Sequence, residues 1–123
     1  IDNQVEGFLD KGFSIGEKTS AIAFENKFSV NRSAITAKDE SEVYIGGNVY
    51  LNNQIDIEMY QKKLFFEHPS VFSLNNDRSD LNIQKTPKSR YFKPRETVDL
   101  TLTDWSVPTA FTKLRDLQWV EYE

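Results

Sequence analysis

The segment Lys85-Thr86-Pro87-Lys88-Ser89-Arg90-Tyr91-Phe92-Lys93-Pro94-Arg95 departs furthest from the rest of the chain in residue type. Its lysines and arginines stand beside two aromatic rings in a protein whose formal net charge is -4. Cationic groups interleaved with aromatic faces are suited to an anionic glycan, a single-stranded nucleic acid or a partner protein. Lys88, Arg90, Tyr91, Phe92, Lys93 and Arg95 are therefore the candidate binding residues. The plainer reading is a solubilising loop whose Lys and Pro residues shield a strand edge.

Other chemistry finds less support. His68 is the single histidine and sits between Glu67 and Pro69, which suits an exposed strand end better than a general base. Asp77, Asp80, Asp99 and Asp104 could supply oxygen ligands or paired carboxylates. However, Asn75-Asn76-Asp77-Arg78-Ser79-Asp80 has Arg78 where a calcium loop needs glycine for its sharp turn. Gly46-Gly47 lacks the surrounding pattern of a phosphate loop. With no cysteine, disulfides, thiolate metal sites and cysteine nucleophiles are excluded. The expectation is a non-enzyme without metal or cofactor.

Short apolar stretches that alternate with polar residues must carry these groups. Ala21–Phe24, Phe28–Val30, Val43–Ile45, Val49–Leu51, Ile55–Met59, Leu64–Phe66, Val71–Leu74, Leu81–Ile83 and Val98–Leu102 all fit the description. A side-chain period of two marks strands with one buried face. Asn, Asp, Lys and Gly clusters between them read as turns, and Gly46-Gly47-Asn48 as a hairpin. No internal repeat is apparent. Ala110–Leu117 has helix-compatible spacing, and Gln118–Tyr122 reads as a last strand with Trp119 buried. Trp105 would close one end of the core. Aromatic residues make up 13% of 123 positions, enough to fill the thin core of a two-layer β domain.

Net acidity argues against general nucleic-acid or anionic-membrane binding. No apolar run is long enough to span a bilayer. Since the first residue is Ile1, the chain is expected to have been trimmed or excised from something longer, and any signal or anchor would have been in the part removed.

Phe28–Ile35, Tyr50–Lys63, Pro69–Asp77 and Phe92–Val98, with Leu100, Leu102 and Val107-Pro108, resemble in order the strands of small "telokin-like" immunoglobulin domains of Gram-positive bacteria. That resemblance implies an exported or lipid-anchored protein. The expectation is thus an all-β fold, an immunoglobulin-like antiparallel β-sandwich of about seven strands. Residues 1–18 form a flexible leader and 19–123 one domain. Its function would be that of a non-enzymatic extracellular or cell-envelope interaction module, a surface lipoprotein-like domain that binds another protein and not nucleic acid. Any membrane contact would run through the removed anchor. Two alternatives are a secreted peptidase inhibitor and a structural subunit of a phage, secretion or conjugation assembly.

Overall fold

Two pairs of asparagines set the period of this chain. Asn26 and Asn48 are 22 residues apart, and both the backbone N–H and Nδ2 of Asn26 donate to Asn48 Oδ1, at 2.9 and 3.1 Å. Asn31 repeats the arrangement with Asn53, also 22 residues on, at 2.9 and 3.0 Å. Asn3 extends the first ladder by donating to Asn26 Oδ1. An amide side chain both donates and accepts, so identical residues stacked along an axis satisfy one another inside a low-dielectric core.

The computed structural model describes residues 1–74, 80–96 and 106–122. Strands β1 (Gln4–Glu6), β2 (Lys11–Ile15) and β3 (Ser20–Phe24) make the first coil. In the second are β4 (Lys27–Ser29), β5 (Ser33–Lys38) and β6 (Glu42–Gly46), and in the third β7 (Val49–Leu51), β8 (Ile55–Tyr60) and β9 (Ser70–Ser73). A fourth contains β10 (Ile83–Lys85) and β11 (Arg90–Pro94), followed by helix α1 (Val107–Arg115) and β12 (Trp119–Tyr122). From β1 to β11, successive strands belong to different sheets. The three sheets have orders β1-β4-β7, β10-β8-β5-β2 and β12-β11-β9-β6-β3. All pairings are parallel among the described residues, except that of β11 with β12.

This is a parallel β-solenoid, and the expected antiparallel immunoglobulin-like sandwich is corrected accordingly. Alternation was read rightly as strands with one buried face, but a solenoid coil and a hairpin produce the same period of two. Which strand pairs with which decides between them. Here each strand pairs with its counterpart in the next coil, and like residues stack: Phe13, Ile35, Ile57 and Ile83 are in register, as are Val5, Phe28 and Tyr50. These columns face one shared interior with Val43, Ile45, Val71 and Tyr91. Residues 1–18, expected to be a leader, contribute β1 and β2 to that interior through Val5, Phe13 and Ile15.

The corners also stack. Glu25 and Gly47 turn the chain from the third sheet to the first, with φ of 58° and 64°, and Asp2, left-handed at 56°, lies beside that corner with its N–H donating to the Phe24 carbonyl. Gly7, Val30 and Asn52 make the next corner at 77°, 58° and 58°. Glu17, Lys18, Asp39 and Glu40 are left-handed at the remaining one. Gly46-Gly47-Asn48 is therefore a solenoid corner between β6 and β7, which lie in different sheets, and not a hairpin. A positive φ favours glycine in either setting, so composition alone did not separate the two.

Helix α1 covers the outer face of the third sheet. Tyr44, Phe72 and Phe92 stack there with centroids 4.7 Å apart at each step, and Leu114, Phe111 and Trp119 pack over them. Ser106 caps the helix by accepting from the Thr109 N–H, and Pro108 sits in its first turn, where no N–H partner is needed. The helical spacing of the tail and the last strand are thus as read, with Trp119 half-buried. The strand expected at Val98–Leu102 and the end-closing Trp105 lie outside the described residues.

Candidate functional site

The basic–aromatic segment is divided among structural tasks. Tyr91 points into the core and is buried. Phe92 belongs to the aromatic stack on the opposite face of β11. Arg90 forms a bidentate pair with Glu121 of β12, with Nη2 to Oε2 at 3.0 Å, and its guanidinium also lies over Phe92. That pairing holds the Glu121 carboxyl below the usual carboxylate range. Lys93 sits over the Tyr122 ring at 4.5 Å. Lys88 and Arg95 are exposed, at the corner before β11 and just beyond its end. The six candidates therefore do not converge on one surface.

His68 Nδ1 lies 3.2 Å from Thr86 Oγ1. Asp80 is described, whereas Asp77, Asp99 and Asp104 lie outside the described residues. Among the described residues no group of three His, Asp or Glu side chains is placed to hold a metal ion.

On the outer face of the second sheet, Arg32 donates to both Glu58 oxygens, at 2.8 and 3.3 Å, and to Asp10 Oδ1 at 3.3 Å. Thr36 Oγ1 donates to the same Glu58 at 3.2 Å. Hydrogen bonding to Glu58 raises the Arg32 pKa further. This network ties three coils together. Its carboxylate is occupied from both sides, which suits a fixed ion pair better than a proton-transfer group.

A large break in the repeat among the described residues lies elsewhere. Glu42 of β6 pairs with Ser70 of β9, six residues beyond the position a 22-residue step would reach. Gln61–Pro69 take up the difference as a loop at the corner where Glu17-Lys18 and Asp39-Glu40 turn the two preceding coils. The loop is clamped at its base. Buried Asp39 accepts the N–H groups of Lys62 and Lys63, at 2.6 and 2.9 Å, on one Oδ1. Gln61 Nε2 donates to the Phe66 carbonyl at 2.5 Å, and Glu40 Oε1 accepts from the Glu67 N–H at 3.0 Å. Lys63 pairs with Glu17 of the first coil, while Thr86, the partner of His68, belongs to the next corner.

This fixed frame holds two large apolar side chains in water: Leu64 is 90% exposed and Phe65 80%. The Phe65 ring rests against Phe66, 4.6 Å away. Leu64-Phe65-Phe66, expected above as a strand with one buried face, is instead this loop's tip. The signal that marks it as an insertion is its displacement from the 22-residue asparagine period, which needs the coil length to be known.

Comparison with family models, with characterised proteins and with solved structures finds no match for this chain.

Proposed function

We propose that this chain is a non-enzymatic protein-interaction module, a rigid solenoid that offers its surface to a partner protein. The observation that carries this reading is the contrast between its polar and apolar surface groups. Arg32, Glu58, Arg90 and Glu121, which are types able to bind charge or move protons, are tied to one another across coils. Leu64 and Phe65 are held out of the core by a hydrogen-bonded frame, although burial of each would be worth about 1.5–3 kcal/mol. Exposed apolar anchors on a fixed scaffold are characteristic of binding surfaces. Insertions in repeat proteins also map to the loops of one face, often the binding face.

A second reading, that of a structural subunit in a larger assembly, is favoured by the N-terminal coil. β1, β2 and β3 each end their sheet, all three on the same side of the solenoid among the described residues. An opening of about 390 Å³ there is lined in part by Asn3, Phe13, Ile15 and Ala21. Parallel edges of this kind can accept a further strand.

One experiment tests both. The tagged chain is fractionated by size from native cells, and the components of its peak are identified. The interaction reading expects a complex well above 14.3 kDa containing a different protein. A complex built only of this chain would replace it with the subunit reading, and elution at the monomer mass would contradict both.

A further inference from the structure

We infer that the tip of the 61–69 loop, Leu64 with Phe65, is the anchor of that interaction, and that its occupant is an apolar pocket on a different protein, rimmed by polar groups of both signs. This inference rests on the interaction reading above and assigns it a location and a chemistry.

The loop is built for presentation. Its frame uses residues from three successive corners, Glu17, Asp39 with Glu40, and Thr86, so its conformation is set before a partner arrives. Such preorganisation lowers the entropy lost on binding. Neither tip residue reaches the core, since both are among the most exposed large apolar side chains of the described surface. A loop needed only to connect β8 with β9 would follow the short corners of the preceding coils, residues 16–19 and 39–41.

Charge around the tip selects the class of partner. Lys18, Lys62 and Lys63 alternate with Glu17, Glu40 and Glu67, and two of these lysines are already paired with carboxylates, Lys18 with Glu40 and Lys63 with Glu17. Such a balanced rim lacks the positive field that draws a protein to anionic lipid. Two side chains of this size also insert less apolar surface than one myristoyl chain, which by itself binds membranes only marginally. A protein pocket needs no net charge, because it buries the anchors while its rim pairs with lysines and carboxylates alike.

The test replaces Phe65 with photoreactive benzoylphenylalanine in the full chain, in native cells, with Lys38 replaced in the same way as a control. The expected result is one discrete adduct with a different protein from position 65 and none from position 38. Adding Leu64→Ser should remove the adduct. Excess unlabelled chain should compete for it, and a chain with both Leu64→Ser and Phe65→Ser should compete about 100-fold less well. Leu64 and Phe65 are both exposed, so circular dichroism and Tm of the double serine chain should stay unchanged. An adduct with lipid, an adduct of twice the chain mass, or an adduct indifferent to Leu64→Ser would overturn the assignment. The size-fractionated complex separates the two claims: if it persists in the double serine chain, this inference fails while the interaction reading stands.

Discussion

Val30 is the residue least suited to its own backbone. It sits at a corner with φ of 58°, between Gly7 and Asn52 of the neighbouring coils, and its side chain is 58% exposed. A β-branched residue in the left-handed region crowds its own carbonyl, at a cost of order 1–3 kcal/mol. Val30→Asn should therefore stabilise the protein by about 1 kcal/mol, seen as a Tm rise of a few degrees. An unchanged or lower Tm would mean that the corner is not left-handed there. Gly12 shows the opposite constraint: a Cβ at this position would stand 2.7 Å from the Ala34 carbonyl oxygen and 2.9 Å from Val5 Cγ1. Only glycine lets the first coil lie this close to the second. Individual asparagines were visible in the sequence as turn formers, and their 22-residue partnership was not, because between them most positions differ in identity and agree only in polarity.

The closing elements, α1 and β12, hold the molecule through a few named ties. Leu114 is fully buried against the outer face of the third sheet, and its carbonyl accepts from Trp119 Nε1 at 2.9 Å. Arg115 reaches back to Glu42 at 2.9 Å. β12 is fastened to β11 by Arg90 and Glu121, and this pair makes the clasp sensitive to pH. Arg90 lowers the Glu121 pKa, so the pair stabilises the folded state above the ordinary carboxyl pKa and ceases to do so as the pH falls through the lowered value. The native chain should thus melt slightly higher than a Glu121→Gln chain at about pH 6, with the gap closing towards about pH 3. A gap that stays constant across that range would contradict the assignment. Strand character and the terminal helix were legible because each is local, written in a period of two or in the spacing of Phe111, Leu114 and Leu117. The aromatic stack of Tyr44, Phe72 and Phe92 was not, since its members are brought together only by the coil register.

For the molecule as a whole, sequence and structure agree on an all-β chain and part over how the strands meet. An antiparallel sandwich and a parallel solenoid bury one face of each strand, use turn residues between strands and tolerate the same composition. The candidate site was lost by the same route. Leu64-Phe65-Phe66 looks like core unless the coil length is known, and only then does it stand out as an insertion. Parallel register is therefore the claim beneath both the fold and the docking loop, and interstrand nuclear Overhauser contacts measured by NMR test it most directly. Parallel register requires contacts of Phe28 with Tyr50, Ile35 with Ile57 and Val43 with Val71, the in-register partners of adjacent coils. Contacts of Ile45 with Val49 and of Tyr44 with Tyr50, running in opposite directions across Gly46-Gly47, would show a hairpin and contradict it.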